Sequence, residues 1–434
     1  MKELIKKFIP NFLFSWYHFL LAFLGALIYQ FPSRKLKVVG VTGTNGKTTV
    51  VEMSSKILEE AGFKVASMSS IKFKIGEKEW LNTLKMTMPG RFKIQKFLRE
   101  AVNKGCQYAV LEVTSEGIAQ YRHKFITFEV AVFTNLTPEH LEAHGGFENY
   151  KRTKGKLFRA TKGIHILNLQ DENFRYFSQF PAKTKYGYAI HTQRTPFSLE
   201  TISKNKIRFI EAQCPSFLPS GISFNVREIN FNLKLPGEFN IYNALAAICV
   251  GISQGIDLKI CQRALKKIKK IPGRMEEVIS KPFRVFVDYA FTPNALEKVY
   301  QLISLKFKAQ NSNLICVLGG CGGGRDKWKR PVLGQLAAKY CDQVIITNED
   351  PYDEDPMKII EQVFKGTKEK GEKILDRREA IKRALVSAKD NDLIIITGKG
   401  CEPWICIKGN KKIPWDDREV VKEEFKKLVP FLKK

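Results

Sequence analysis

GVTGTNGKTT, the stretch from Gly40 to Thr49, follows the apolar run LKVV at residues 36–39. The β-branched run predicts a strand, the glycines predict a tight turn, and the residues from Thr48 to Glu60 predict a helix. Such a loop directs successive backbone N–H groups toward one point at the positive end of a helix, where a phosphate group is favoured. Gly43 and Gly46 enclose only two residues, so the spacing differs from the standard phosphate-binding loop. The stretch therefore predicts a nucleotide site in which Lys47 reaches the terminal phosphates and Thr48 holds Mg²⁺.

Composition places the chain among folded globular proteins. Its 434 residues are 44% hydrophobic and 11% aromatic, which is enough for two or three domains and excludes a disordered chain. The nine cysteines form no C-x-x-C pair, which disfavours a zinc ribbon, and we expect free thiols in a reducing cytoplasm. The net charge of +28 is spread along the chain and favours anionic substrates or an anionic membrane face. Nucleic-acid signatures are absent, so no nucleic-acid partner is expected.

The amino-terminal segment is apolar. No charge occurs from Phe12 to Phe31, while Lys6, Lys7, Arg34 and Lys35 flank this segment. Twenty helical residues measure about 30 Å, which is the thickness of a bilayer core. A spanning helix, a helix lying in the membrane interface and a helix docked on the protein all fit this pattern. We expect an apolar helix within residues 1–35. Contact of residues 8–31 with the inner face of the membrane is one alternative.

The rest of the chain alternates apolar strands with amphipathic helices. Strands at 36–41, 108–112, 130–135 and 163–168 predict a parallel, doubly wound sheet, and shorter alternating runs over 185–235 predict an antiparallel extension. The sequence IPGR at 271–274 precedes a second α/β domain with strands at 284–288, 314–318, 343–347 and 393–397. The predicted domains are 36–270 and 271–434, with ligands bound between them.

Polar residues follow two of the predicted strands. Glu112 ends one strand beside the phosphate loop, where a carboxylate is well placed to bind Mg²⁺. His140 follows the next strand and a Pro-Glu turn, a context that suits a metal or phosphate role as well as a structural one.

Several motifs occur in a fixed order: GTNGKTT, EVTSEG, FTNLTPEHLEAHG, YKRTKGKLF, LPGEFNIYNALAA, IPGRMEEV, DYAFTPNAL, GGCGGGRDKWKR and GKG-x-E. Together they resemble the Mur ligases over residues 36–434, and within that family the ligases that add the third residue of the peptidoglycan stem peptide. The resemblance implies a central ATP-binding domain, a carboxyl-terminal Rossmann-like α/β domain that binds the amino acid, and ATP-dependent amide synthesis through an acyl phosphate. A cytoplasmic monomer acting on a muramyl peptide and a free amino acid, in cell-wall synthesis, is expected.

The resemblance also implies roles for individual residues. Thr48 and Glu112 would hold one Mg²⁺ and His140 a second, while Lys154 matches a lysine that is carbamylated in many of these enzymes. Lys47, Lys154 and His140 are the expected catalytic residues. The expected nucleotide-binding residues are Gly43, Thr44, Asn45, Gly46, Lys47, Thr48, Thr49, Asn243, Arg274 and Asp288. The expected substrate-binding residues are Thr87, Pro89, Thr114, Ser115, Arg122, Asp350, Tyr352 and Glu402.

The chain departs from the family pattern at two places. The phosphate loop begins near residue 40, where the family has an amino-terminal uridine-binding domain, so a lipid-linked acceptor is an alternative to a nucleotide-linked one. Enzymes that use diaminopimelate carry Asp-Asn-Pro-Arg where this chain has Glu-Asp-Pro-Tyr at 349–352. Tyr352 cannot pair with a distal carboxylate. The acidic residues Glu349, Asp350, Asp353 and Glu354 therefore favour lysine or ornithine. Cys401 and Phe291 replace two histidines of the family motifs.

Other functions fit the sequence less well. An amidating relative that acts on lipid-linked muramyl peptide usually carries four paired cysteines, which are absent here. Folylpolyglutamate and cyanophycin synthetases share the phosphate loop but not the motifs TNLTPEHLEAHG and GCGGGRDKWKRP in this form. A non-catalytic, membrane-tethered scaffold is the alternative from another class, and the presence of Lys47, Thr48, Glu112, His140 and Lys154 disfavours it.

Overall fold

Strand β1 (Lys37–Thr42) lies in the interior of the larger of two main sheets, and its carboxyl end leads into the phosphate loop. The computed structural model describes residues 11–191, 202–203, 206–218, 221–308 and 311–432. The predicted membrane-contact residues 8–10 and parts of the predicted 185–235 extension lie outside these ranges. The other strands of this sheet are β2 (Val65–Met68), β3 (Lys72–Ile75), β4 (Lys78–Leu81), β5 (Tyr108–Glu112), β6 (Phe128–Phe133), β7 (Ile164–Asn168), β8 (Thr184–Ile190), β9 (Ile207–Leu218), β10 (Gly221–Val226) and β11 (Ile229–Leu233).

The strand order is β11-β10-β9-β8-β7-β6-β1-β5-β2-β3-β4 among the residues described. The seven strands from β9 to β2 are parallel, and an antiparallel pair closes each edge. The predicted doubly wound α/β fold is confirmed for the centre of the sheet. The predicted antiparallel extension is wrong for β8, which pairs in parallel with both of its neighbours. It is right from β9 onward, where β9 pairs in antiparallel with β10 and β10 with β11. Alternating burial identifies a strand with one exposed face but does not report its direction.

Helices cover both faces of this sheet. The side chains of β1 alternate between two buried clusters, since Val39 and Val41 contribute to one and Val38 to the other. Helices α2 (Lys47–Glu60), α8 (Phe239–Ser253) and α9 (Leu258–Lys266) bury their apolar faces in the first cluster. The remaining helices of this part are α1 (Asn11–Ile28), α3 (Arg91–Asn103), α4 (Ser115–Ala119), α5 (Leu141–His144), α6 (Phe147–Ala160) and α7 (Phe174–Ser178).

A second sheet follows Ile271–Arg274. Its order is β12-β13-β17-β14-β15-β16, parallel except for β12. Its strands are β12 (Glu276–Ile279), β13 (Arg284–Asp288), β14 (Leu314–Gly320), β15 (Gln343–Asn348), β16 (Glu372–Ile374) and β17 (Leu393–Thr397), and β18 (Trp404–Ile407) pairs with β19 (Lys411–Pro414) apart from it. The helices here are α10 (Pro293–Lys306), α11 (Lys329–Tyr340), α12 (Pro356–Gly366), α13 (Arg377–Ser387) and α14 (Asp417–Leu432). Each face of the sheet has its own buried cluster, as expected for a second α/β domain.

Helix α1 packs on α3 through small residues. Ala22 and Ala26 are buried there, and Gly25 lies against the backbone of α3. Within the part of the chain that the structure describes, no helix has the length and hydrophobicity needed to cross a membrane.

Candidate active site

The phosphate loop lies between β1 and α2 and is fixed to the end of β6. The Thr44 amide donates to the Asn135 carbonyl oxygen at 2.8 Å, and the Asn45 amide donates to Asn135 Oδ1 at 2.9 Å. Gly43 has a φ of 151°, and a Cβ there would lie 1.9 Å from Thr134 Oγ1, so only glycine fits. The loop is thereby held with its backbone at the positive end of α2.

Thr48, at the start of α2, is coupled to Glu112, at the end of β5. Thr48 Oγ1 donates to Glu112 Oε2 at 2.8 Å, and Ser70 donates to the same carboxylate through its amide and hydroxyl. Lys47 Nζ donates to the Thr44 carbonyl oxygen at 2.8 Å and lies 3.7 Å from Glu112. Burial lowers the pKa of Lys47, and the charge of Glu112 opposes that effect. A hydroxyl, a carboxylate and an ammonium thus meet beside the loop.

Lys154 lies on α6 beneath the loop. Its Nζ donates to the Gly43 carbonyl oxygen at 2.8 Å and lies 4.7 Å from the centre of the Tyr150 ring. The side chain is buried. Burial, followed by the charge of Lys47, lowers its pKa well below the ordinary value. The amine is therefore disposed to be uncharged.

His140 lies outside the Thr48–Glu112 cluster. It has a left-handed backbone (φ 56°), and its Nδ1 is 3.5 Å from Glu116 and 3.4 Å from Arg325. Burial, with the charges of Arg325 and Lys329, lowers its pKa to about 2, so the imidazole is neutral. Among the residues that the structure covers, no three His, Cys, Asp or Glu side chains are grouped to hold a metal ion. The assignment of His140 as a metal ligand stays a prediction.

A cavity of about 740 Å³ opens at this loop and reaches the second domain. Residues of both domains line it, as the sequence predicted for a ligand site between domains. Three of the predicted site residues, Gly43, Pro89 and Lys154, do not line it. The eighteen that do are Thr44, Asn45, Gly46, Lys47, Thr48, Thr49, Thr87, Glu112, Thr114, Ser115, Arg122, His140, Asn243, Arg274, Asp288, Asp350, Tyr352 and Glu402.

Three of these residues, Asn243, Arg274 and Asp288, lie far from the phosphate loop in the sequence. Asn243 Oδ1 would lie 2.4 Å from a Cβ at Gly46, so it approaches the loop closely. Arg274 extends from the connection between the two domains, and its Nη2 lies 3.4 Å from Thr48 Oγ1. Asp288 accepts from the amides of Met275 and Ala290 at 2.6 and 2.7 Å, so its carboxylate already holds the backbone of this connection.

Four of the predicted acceptor-side residues, Thr87, Thr114, Ser115 and Arg122, also line the cavity. Thr87 Oγ1 is 2.9 Å from Ser70 Oγ, and Thr114 caps α4 by accepting from the Gly117 amide. Arg122 donates to the Met88 carbonyl oxygen, and Ser115 is buried at the start of α4. Pro89 lies in the same 82–90 segment but does not line the cavity.

The predicted acidic group of the second domain is divided by the structure. Asp353 accepts from the Gly409 amide and Glu354 pairs with Arg330 at 2.9 Å, so neither lines the cavity. Because other partners hold these two carboxylates, they do not support the expected preference for a distal ammonium, which stays a prediction. Glu349 and Asp350 do line the cavity.

Asp350 and Glu402 form one ion cluster with two lysines. Lys399 Nζ lies 2.9 Å from Asp350 and 2.6 Å from Glu402, and Lys85 contacts both carboxylates from the central domain. Burial raises the pKa of Asp350, but Lys399 and Lys85 outweigh it and hold that pKa below its usual value. Both carboxylates are thereby kept ionised.

Sequence patterns did not indicate Ser70, Lys85 or Arg325, although all three line the cavity. Ser70 follows β2, so its position after a strand beside β5 was a signal available in the sequence. Arg325 lies within the quoted motif GGCGGGRDKWKR. Lys85 carries no local signal, because its partners lie 265 and 317 residues away.

The fold and the cavity define a two-domain α/β enzyme with a phosphate-binding loop at the interdomain cavity. Two family profiles match: the Mur ligase middle domain over residues 41–251 and the Mur ligase, glutamate ligase domain over residues 273–400. The chain is 34% identical over 425 residues to UDP-N-acetylmuramyl-tripeptide synthetase of Roseiflexus sp. (strain RS-1), covering 92% of this chain and 80% of that protein. It is 38% identical over 413 residues to a protein of Syntrophomonas wolfei named UDP-N-acetylmuramoyl-L-alanyl-D-glutamate–2,6-diaminopimelate ligase, with coverage of 93% and 81%.

Solved structures of ligases have a similar fold. A diaminopimelate ligase of the same name has a TM-score of 0.58 at 27% identity, covering 90% of this chain and 78% of that one. Folylpolyglutamate synthase of Mycobacterium tuberculosis has a TM-score of 0.66 at 15% identity, covering 86% and 91%, which shows the shared fold. The chain belongs to the Mur ligase family, and it is an ATP-dependent ligase that forms amide bonds.

Proposed function

We propose that this ligase activates the carboxylate of a muramyl dipeptide with ATP and joins it to a lysine-like amino acid, in the synthesis of peptidoglycan precursors. One observation carries the proposal: the Lys47, Thr48 and Glu112 group and the Asp350–Glu402 group line the same cavity from two domains. We assign residues 36–270 to the ATP-binding domain and 271–434 to the amino-acid-binding domain.

The residues present fit ATP and Mg²⁺. Asn45 Nδ2 and Arg274 Nε are buried without a protein partner, and both residues line the cavity. These donors and the loop amides suit phosphate oxygens. We assign Asn243 and Asp288, which line the same cavity, to the base and the ribose. Thr48 and Glu112 supply oxygen ligands of the kind Mg²⁺ prefers. When bound, Mg²⁺ would neutralise charge on the phosphates.

The proposed reaction has two steps. An oxygen of the acceptor carboxylate attacks the γ-phosphorus, and the bond from that phosphorus to the bridging oxygen breaks to leave ADP and an acyl phosphate. The uncharged amine of the amino acid then attacks the acyl carbon, loses a proton and expels phosphate. Lys47 and the loop amides stabilise charge on the transferred group. Thr87, Pro89, Thr114, Ser115 and Arg122 are assigned to the acceptor.

A lysine-like amino acid is favoured by the ion cluster of the second domain. Tyr352 stands where the diaminopimelate motif has an arginine, so the motif's partner for a second carboxylate is replaced. Asp350 and Glu402 already surround an ammonium, that of Lys85, so the subsite suits a positively charged amine. The relatives named as diaminopimelate ligases support the reaction class but differ in this proposed preference.

The test is a ligation assay with ATP, UDP-muramoyl-dipeptide and lysine, ornithine or diaminopimelate, with mass detection of the product. Lysine or ornithine product, absent in the Lys47→Ala variant, is expected. Product with diaminopimelate alone would contradict the amino-acid preference. No product with any of the three would contradict the reaction on this acceptor.

A lipid-linked acceptor is the second candidate, and helix α1 favours it. Trp16, Leu20 and Leu27 share one face and are 68%, 52% and 50% exposed. Elsewhere on the helix, Phe19 packs on Tyr121 and Phe125, and Tyr121 directly precedes the cavity-lining Arg122. The segment 11–35 has no acidic residue, and the whole chain carries +28, so an anionic lipid surface complements it.

Vesicle sedimentation tests this contact. The wild-type protein is expected to sediment with phosphatidylglycerol vesicles and the Trp16→Glu/Leu20→Glu variant to stay in the supernatant. Leu305→Glu, at another exposed apolar side chain, serves as the matched control. Wild-type protein that remains in the supernatant would contradict membrane contact, and a dimer abolished by the double substitution would assign this face to a second copy of the chain.

A further inference from the structure

Lys85 joins the two domains through a single side chain. It lies in the segment between β4 and α3, with a left-handed backbone (φ 56°). Its Nζ is 2.7 Å from Asp350 Oδ2 and also contacts Glu402, and the side chain is only 12% exposed. The ammonium of a lysine from the central domain thus lies in the acidic cluster of the second domain.

The cluster is balanced in charge and saturated in hydrogen bonds. Asp350 Oδ1 accepts from the Cys406 amide at 2.7 Å, and Glu402 Oε1 accepts from the Tyr289 hydroxyl at 2.7 Å. The remaining oxygen of each carboxylate faces Lys85 and Lys399 together. Within this cluster, two carboxylates therefore meet two ammonium groups.

The two lysines differ in how they can leave. Lys399 is fully buried and follows β17 within the same domain as both carboxylates. Lys85 comes from the other domain on a 9-residue connection (82–90) between β4 and α3. Lys85 is the member that can withdraw without unfolding the cluster.

We propose that Lys85 is an internal occupant of the amino-acid subsite: its ammonium holds the place between Asp350 and Glu402 that the ammonium of the incoming amino acid takes by displacing it. The inference rests on the proposed function and adds a selection step to it. A cationic amine replaces the charge of Lys85 and keeps the cluster balanced. An amino acid that brings no positive group to this place leaves two carboxylates facing one lysine, so it cannot displace Lys85 without a penalty.

The competing role for Lys85 is purely structural: the side chain would only hold the two domains together. The two roles predict opposite changes in the kinetics. Without Lys85, an internal competitor is lost, so the KM for lysine should fall about tenfold in Lys85→Met while the KM for ATP stays unchanged. Lys85→Arg keeps the charge and should keep the wild-type KM. Lys78→Met, at an exposed lysine of β4, is the matched control and should match the wild type.

If Lys85 only held the domains together, Lys85→Met would have a lower kcat with an unchanged or raised KM for lysine, and Lys85→Arg would restore the wild-type values. That result would overturn the proposal. Calorimetric titration of L-lysine into the ADP-bound protein separates this inference from the proposed function. Tighter binding to Lys85→Met than to wild type is expected even if no acceptor tried is ligated. Equal or weaker binding to a folded Lys85→Met variant would overturn the inference.

Discussion

Lys154 Nζ lies 2.8 Å from the Gly43 carbonyl oxygen, so a buried amine of α6 supports the phosphate loop from beneath. Burial and the nearby charge of Lys47 lower the pKa of Lys154 well below its ordinary value. An uncharged amine can attack the carbon of CO2 and lose a proton, which would convert it to a carbamate anion. This chemistry supports the carbamylation of Lys154 that the family resemblance implies, because the resulting anion would lie near the positive charge of Lys47.

Activity should therefore depend on CO2. Wild-type enzyme in buffer freed of CO2 is expected to lose most of its ligase activity and to regain it when bicarbonate is added. Lys154→Met should be inactive in both buffers, and Lys156→Met, at an exposed position two residues further along α6, should behave as wild type. Activity that does not respond to bicarbonate would contradict carbamylation.

The Thr48–Glu112 pair makes a separate prediction about Mg²⁺. Thr48→Ala removes the hydroxyl and its 2.8 Å hydrogen bond to Glu112, so the Mg²⁺ concentration for half-maximal activity should rise roughly 10- to 100-fold. Thr48→Ser keeps the hydroxyl and should stay near the wild type. The assay is ligase rate against Mg²⁺ concentration at saturating ATP, and an unchanged Mg²⁺ dependence in Thr48→Ala would remove this pair from the proposed metal site.

Local sequence patterns were sufficient to predict that Thr48 and Glu112 lie close together. They were insufficient to predict the contacts between the two domains. The glycines of the loop and the strand ends specify where Thr48 and Glu112 lie, because β1 and β5 are adjacent and parallel, with Val41 opposite Glu112. The partners of Lys85 depend on how two separately folded sheets face each other, and no sequence period encodes that arrangement. The strands β3 and β4 were missed although Gly76-Glu77 separates two alternating runs, a recognisable hairpin signal.

A buried ion pair across the domains should control closure. Lys329 Nζ lies 2.7 Å from Glu139 Oε1, and both side chains are 3% exposed. Lys329→Met leaves the Glu139 carboxylate buried without its partner, at a cost of about 3–5 kcal/mol that domain opening can relieve. Small-angle scattering should then show a larger radius of gyration, with Lys339→Met, an exposed lysine of α11, as the control.

Restoring neutrality should restore closure. The double variant Glu139→Gln/Lys329→Met removes both charges and should scatter as the wild type does. A Lys329→Met variant with an unchanged radius but a much lower melting temperature would show that the pair stabilises the fold rather than the closed arrangement.

His165 predicts a specific loss of stability in acid. It is fully buried on β7, its Nε2 lies 2.9 Å from the Thr161 carbonyl oxygen, and burial lowers its pKa to about 4. The unfolded chain, with a histidine pKa of about 6.5, binds the proton more readily, so this contribution is complete above that pH and is lost as the pH falls toward 4. Between pH 7 and pH 5 the loss from this one group is on the order of 2 kcal/mol.

The variant His165→Gln keeps a donor at this site but cannot be protonated in this range. Its free energy of unfolding, measured in urea at pH 7 and pH 5, should therefore fall by about 2 kcal/mol less than that of the wild type between the two pH values. The control is His191→Gln, at a histidine whose side chain is 66% exposed. Equal pH dependence in His165→Gln and wild type would mean that His165 is protonated in the folded chain. The packing of α6 against β7 would then have to loosen in acid, before the protein unfolds, to let water reach the imidazole ring.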